Sequence, residues 1–387
     1  MKLFNFHLMP WPKIPADVRE RYTSSWVVMP NSVYDPVEGT GIYAEYLDQL
    51  CFADEIGFDA ICVNEHHQNG YGTMPSPNII AGVLAGRTKN AKIAILGNGI
   101  ALRENPLRVA EEVAMLDVIS GGRIISGFVR GIGAEYFSLN IDPSTSRARF
   151  HEAHDLIVKA WTEPGPFAWD GEHYSYRYVN VWPRPLQQPH PPIFAPSQGS
   201  SETIEWAAEH RYPFVCTYTP MPQLIRYYDE YRRLAEERFG YTAGPEQFGW
   251  TSLIYVAETE QEALEAVAPH AQYFAERCFA LPPQMLMPPG YTTSGSFRRM
   301  LEARGIGGPQ AAPDLNAGEV LIGTPDQVGE RLVSNMERCG AGIFMGMFQV
   351  GDMPHTKVMR SMELFADKVL PHLPRDPAPK PVTSSVA

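Results

Sequence analysis

The chain predicts a (β/α)8 barrel, a TIM barrel with insertions, and three observations lead there. Short apolar runs alternate with amphipathic helical stretches along almost the whole length, the pattern of parallel strands joined by crossover helices. Eight such pairs can be counted, and the last, residues 342–370, returns after a long Pro- and Gly-rich interruption. No GxGxxG turn follows the first strand, which weighs against the competing architecture, a doubly wound open sheet.

Residues 3–9 read as a first strand, apolar on both faces and stopped by Pro10, Pro12 and Pro15. A long loop to about residue 40 carries Trp11, Trp26 and Tyr34, a length that suggests a functional segment. Residues 41–56 have helical spacing. Ala60 to Val63 then form a buried strand that runs into Glu65-His66-His67 and a loop rich in Gly and Pro. Further strands are expected at 92–97, 123–129, 192–195, 214–217, 249–257 and 342–348. The helices between them are expected at 75–86, 106–119, 147–161, 202–209, 223–238, from 261, at 324–338 and at 355–370. Residues 1–371 are therefore expected to form one barrel domain with insertions at about 11–40, 163–190 and 281–318, the second a small hairpin. Residues 372–387 read as a Pro-rich, disordered tail.

Composition narrows the function. With 44% hydrophobic and 20% charged residues among 387, the chain can bury a large core. A net charge of -12 opposes binding to nucleic acid or an anionic membrane, so a small-molecule partner is expected. Cys51, Cys62, Cys216, Cys278 and Cys339 are scattered without CxxC spacing, which predicts neither a disulfide framework nor a zinc site and suits the cytoplasm. No apolar run approaches the ~20 residues of a membrane span, and the N-terminus lacks a signal-peptide pattern.

Four stretches hold candidate chemistry, each at the end of an expected strand, where barrel enzymes place their sites. Glu65-His66-His67 comes first. Neighbouring residues on a strand point to opposite faces, so the two imidazoles are poorly placed to share a metal, and no HExxH occurs. Either imidazole could instead be an ordinary hydrogen-bonded strand-end residue. Gly97-Asn98-Gly99 allows close backbone approach to a flat ligand, with an amide for its ring edge, although Asn-Gly is also a common turn. Arg130-Gly131-Ile132-Gly133 could hold a phosphate through the guanidinium and nearby amides. Ser197, Gly199, Ser200 and Thr203 open a helix, where exposed amides and hydroxyls suit an anion and also serve as an ordinary cap. Arg147 or Arg149 could add a second cation, or lie on a solvated helix face.

GFDAICVNEHH, LAGRTKNAKIAILGNGIALRENPLRVAEEVAMLDVISGGRIISGFVRG, NIDPSTSRARFHEAHDLI, SSETIEWAA and the late GTPDQVGERL together resemble the bacterial luciferase-like flavin monooxygenases, in order and across nearly all of residues 1–371. The resemblance implies a luciferase-like barrel that uses reduced FMN supplied by a separate NAD(P)H-dependent flavin reductase. It implies that the flavin reacts with dioxygen to a flavin hydroperoxide, which oxygenates a small, largely apolar organic substrate. By position it makes His66 the catalytic histidine and Arg130 and Arg147 the phosphate-binding arginines. Gly199, Ser200 and Thr203 fall in the phosphate loop, and a non-prolyl cis bond is expected at Gly97-Asn98, beneath the flavin. A homodimer through the early helices is implied as well. Val129 stands where the luciferases have cysteine, which argues against light emission. Two alternatives share the barrel: a deazaflavin-dependent oxidoreductase transferring hydride without dioxygen, and a flavin-binding subunit without catalysis.

Overall fold

This computed structural model describes residues 1–294, 297–298 and 314–375. Among the described residues the strands in chain order are β1 (Lys2–Phe6), β2 (Ala60–Val63), β3 (Lys92–Gly99), β4 (Ile124–Val129), β5 (Phe167–Asp170), β6 (Ser175–Val179), β7 (Ile193–Ser197), β8 (Phe214–Cys216), β9 (Phe248–Val256), β10 (Leu321–Gly323) and β11 (Ile343–Met347). Eight of them close an all-parallel ring, β1-β2-β3-β4-β7-β8-β9-β11, with β11 pairing back onto β1. The fold is a TIM barrel with helices outside the ring, as the alternation predicts.

Packing across the lumen fixes which way each strand faces. β1 and β7 are not neighbours, so the stacked rings of Phe4 and Phe194, 6.2 Å apart, meet through the interior. Gly127 is aligned with Phe194 and faces inward with it. Ser126 and Phe128 therefore face the helices, and Phe128 packs 6.1 Å from Trp161 on the helix Ser146–Thr162.

Several expectations are corrected. The first long helix starts at Pro36, five residues before the expected start: Asp35 accepts from the amides of Val37 (2.8 Å) and Glu38 (3.3 Å), and Pro36 takes the first turn. Gly39, Thr40 and Gly41 are poor helix formers and hide that start in the sequence. β3 runs on through Asn98 and Gly99, so these are strand residues and not a turn. The non-prolyl cis bond is Leu96-Gly97, one residue earlier than Gly97-Asn98. A Cβ at Gly97 would lie 2.6 Å from the Gly127 carbonyl oxygen, so only glycine fits this close against β4.

β10 was not expected. It is three residues long and pairs with Ile254–Val256, the C-terminal part of β9, while Gly249–Leu253 pairs with β11. One long strand thus serves the ring and one outer partner. β5 and β6 form an antiparallel hairpin within 163–190. The expected tail begins too early. Leu373 is buried, Pro374 accepts from the N-terminal ammonium at 2.9 Å, and Arg375 pairs with Asp59 at 3.0 Å. Residues 376–387, where the rest of that expectation falls, and 299–313 within the third insertion lie outside the described residues. Among the described residues no helix is long and apolar enough to cross a membrane.

Candidate functional site

The C-terminal rim gathers the expected residues into two corners. At the first, β2 ends and the three residues of its titratable run take different partners. Glu65 is 4% exposed, and its carboxylate accepts from His67 Nε2 (2.7 Å), from Arg103 Nη1 (2.9 Å) and Nη2 (2.6 Å), and from the Gly99 amide (3.1 Å). Burial works against its charge, yet the hydrogen bond from His67 and the Arg103 guanidinium outweigh it and hold the carboxyl below its ordinary range. Glu65 thereby ties the end of β2 to the end of β3.

His66 points elsewhere. Its Nδ1 lies 3.1 Å from Glu135 Oε1, and a carboxylate only accepts, so Nδ1 carries the hydrogen and Nε2 the lone pair. Glu135 is itself 2% exposed and fixed by the Ile132 amide, which donates to Oε2 at 2.7 Å. That is the reach-back half of a capping box at the start of the helix Gly133–Ser138. Around the imidazole stand aromatic rings edge-on: Tyr71 at 4.8 Å and Trp26 at 5.2 Å. Tyr71 in turn meets Phe279 at 4.9 Å, and its hydroxyl lies 3.4 Å from that of Tyr218, just past β8. Trp26 Nε1 donates to the Cys278 carbonyl at 2.7 Å, pinning the loop of 11–35 onto the segment after the helix Glu260–Tyr273. Four separate stretches, around residues 26, 71, 218 and 279, therefore build one largely apolar wall beside a histidine whose Nε2 has no hydrogen-bond partner among the described residues.

The second corner is polar. Arg130 follows β4 and donates from Nη1 to Tyr291 O (3.2 Å) and Ser146 Oγ (3.3 Å), with its guanidinium 4.4 Å from the centre of the Tyr291 ring. Arg147 pairs with Glu202 at 3.1 Å, both about one-third exposed. Burial opposes ionisation of Glu202, but its own backbone amide, the Arg147 guanidinium and, at longer range, Arg130 hold its carboxyl below the usual range; Arg130 itself bonds Ser146, the residue before Arg147. Arg149 is excluded from that role. Its Nε and Nη2 are spent on the carbonyls of Ala101 (3.0 Å) and Arg103 (2.7 Å). A cavity of about 460 Å³ opens beside Ser146, Arg147 and Tyr291.

Across from the arginines, Ser197 Oγ accepts from the Gly199 amide at 3.0 Å, and Ser200 Oγ caps the helix Ser201–Glu209 by accepting from the Thr203 amide at 3.2 Å. Ser200 and Thr203 also share a hydroxyl contact of 2.7 Å. Gly199 has φ +93, and the Tyr227 ring lies where a side chain would project. Two guanidinium groups, three hydroxyls and a capped helix start suit a phosphate. Asn98 does not join them. Register aligns it with Phe128, on the helix side of the sheet, and its buried amide has no hydrogen-bond partner among the described residues. What β3 presents at the mouth is backbone and the glycines around it.

Against known proteins, residues 25–341 match the luciferase-like monooxygenase family. The chain belongs to that family. It is 27% identical to the uncharacterized protein y4wF of Sinorhizobium fredii, over 82% of this chain and 89% of that one. It is 26% identical to the alkanal monooxygenase alpha chain of Photobacterium leiognathi, over 84% and 91%. Monooxygenase RslO1 of Streptomyces bottropensis superposes with TM-score 0.71 at 25% identity, covering 96% of this chain and 99% of that one. An F420-dependent secondary alcohol dehydrogenase shares the fold, with TM-score 0.66 at 16% identity over 97% and 99%.

In this luciferase-like chain the residues that sequence reasoning missed are Tyr71, Arg103, Glu135, Tyr218, Phe279 and Tyr291. Only Glu135 carried a local signal, a Glu three residues after the end of Arg-Gly-Ile at a helix start.

Proposed function

We propose that this chain is the oxygenase component of a two-component flavin monooxygenase, using reduced FMN from a separate NAD(P)H-dependent reductase to oxygenate a small, largely apolar, ring-bearing substrate. The observation that carries the reading is His66, its tautomer set by Glu135, beside an aromatic wall one corner away from Arg130, which bonds Ser146, and the adjoining Arg147. Arg130, Arg147, Ser197, Gly199, Ser200 and Thr203 would hold the phosphate, and the backbone at Gly97 and Asn98 would lie beneath the ring system. The bound flavin supplies the reaction with dioxygen. The chain itself supplies dryness and a proton relay: Trp26, Tyr71 and Phe279 exclude water, and His66 Nε2 accepts a proton from, or passes one to, the reacting oxygen. Glu135 keeps Nδ1 protonated throughout, so that Nε2 is always the working atom.

Replacing His66 by Ala should lower coupled product formation by about 10²- to 10⁴-fold while FMN affinity stays close to wild type. Unchanged turnover would remove His66 from its role. Oxygen-independent hydride transfer with a deazaflavin would replace the monooxygenase reading, and failure to bind FMN in either redox state would end it. A cytoplasmic homodimer belongs to the same proposal. Ile79 and Val83 on the helix Pro77–Arg87, with Met115 and Ile119 on the adjoining helix Leu107–Ile119, are apolar and exposed, which supports burial against a second copy.

A further inference from the structure

Behind the phosphate corner, on the outer face of the barrel, His154, Asp155 and His210 bring one ligand atom each to within 4.8 Å of the others. His154 and Asp155 lie on the helix Ser146–Thr162, and His210 closes the helix Ser201–Glu209. We propose that these three residues form a site for a divalent first-row metal ion that clamps the two helices together.

The hydrogen bonds around the imidazoles carry the assignment. His210 Nδ1 lies 2.9 Å from the Trp206 carbonyl oxygen, which can only accept, so Nδ1 holds the hydrogen and Nε2 presents a lone pair. That is how a protein orients a metal-binding imidazole, with the far nitrogen donating to a fixed oxygen. His154 has the same arrangement turned round: Nε2 is held at 3.0 Å by the Tyr212 hydroxyl, and Nδ1 faces Asp155 Oδ1 at 2.8 Å. A hydroxyl can donate or accept, so His154 can take up either tautomer without losing that partner. In the metal-free chain a proton lies between Nδ1 and the carboxylate. The ion takes the place of that proton, which moves by exchange with solvent to Nε2, so the ring stays neutral and Nε2–H then donates to the Tyr212 hydroxyl.

The rest of the surroundings fit a cation reached from solvent. His154 is 2% exposed and pinned among the rings of Trp206, His210 and Tyr212, with the His154 and His210 rings 4.9 Å apart. Asp155 is largely exposed and supplies the open side. A cavity of about 430 Å³ reaches the cluster and is also lined by His151 and Glu209. Two other acids on its wall are already committed, Glu202 to Arg147 and Glu205 to Arg238. Two nitrogens and one carboxylate suit zinc, cobalt or nickel, and not calcium or magnesium, which prefer all-oxygen shells. The sequence reading expected no metal, because the ligands come from two helices 55 or more positions apart and form no compact motif.

The test uses the full chain, free of any affinity tag and stripped with a chelator, titrated with cobalt(II). One equivalent should bind with visible d–d bands and no thiolate charge-transfer band, since the five cysteines are buried elsewhere. His210→Ala and Asp155→Asn should each weaken binding by at least about tenfold, while His372→Ala, an exposed histidine far along the chain, should change nothing. If His210→Ala fails to fold, His210→Gln gives the same readout, with far-ultraviolet circular dichroism confirming the fold. Absence of stoichiometric binding, or equal affinity in the ligand variants, would overturn the site.

Discussion

Two carboxylates on the rim each hold one histidine of the same dipeptide, and they hold them for opposite ends. Glu65 uses both oxygens on four donors, His67, both Arg103 nitrogens and the Gly99 amide, so the unit is closed. Glu135 spends one oxygen on a backbone amide and one on His66 Nδ1, and His66 Nε2, beside the aromatic wall, has no partner among the described residues. A saturated network fixes the geometry of two strands, while a partly saturated one stores capacity for a proton. Neighbouring residues thus differ in role because of what the other ring nitrogen meets.

Breaking the closed unit should have the largest effect on stability. In Glu65→Ala the Arg103 guanidinium, 24% exposed, loses its only carboxylate partner among those described, and the end of β3 loses its tie to β2. We expect about 3–5 kcal/mol of destabilisation in urea unfolding. A loss below about 1 kcal/mol would place Glu65 among the surface pairs and dissolve the contrast.

A third rim histidine sharpens it. His7, just past β1, is fully closed: Nδ1 accepts from the Met9 amide at 2.9 Å and Nε2 donates to Gln49 Oε1 at 2.9 Å. Burial pushes its pKa down to about 4, only partly offset by the Gln49 hydrogen bond. The imidazole is neutral in the fold and protonates more readily when unfolded, near 6.5. Its stabilisation is therefore complete above about pH 6.5 and is lost as pH falls toward 4, by about 3 kcal/mol in all. Unfolding curves at pH 7 and pH 4 should show this loss, and His7→Gln should reduce it. An identical acid slope in the variant would mean that other groups carry the effect.

The same distinction explains what could be read from the chain beforehand. Strand–helix alternation, the rim positions of Glu65-His66-His67 and Arg130, and the Ser200 helix start are local patterns, and local patterns are visible in one dimension. Glu135 is 69 residues from His66, so nothing near either residue announces the pair. Arg147 and Arg149 are alike in composition and differ only in that the carbonyls of Ala101 and Arg103 lie beside the second. Asn98 was expected at the mouth, but a register shift between Ile95 and Asn98 turns its side chain toward the helices. β10 is three residues long and depends on β9 running past the ring, which periodicity cannot reveal.

The smallest predicted effect is the one that separates the two histidines. His67→Gln keeps a side-chain amide able to donate to Glu65, so the carboxylate retains Arg103 and Gly99 and regains a neutral donor. The expected cost is about 1 kcal/mol of stability, the worth of one exchanged hydrogen bond. Turnover should stay near wild type, because the nitrogen lost from His67 faces Glu65 and not the aromatic wall. Measured beside His66→Ala, whose activity should collapse, the pair gives different signatures from adjacent positions. If His67→Gln instead loses activity as His66→Ala does, the working nitrogen belongs to the other ring, and the Glu135 contact only holds a loop in place.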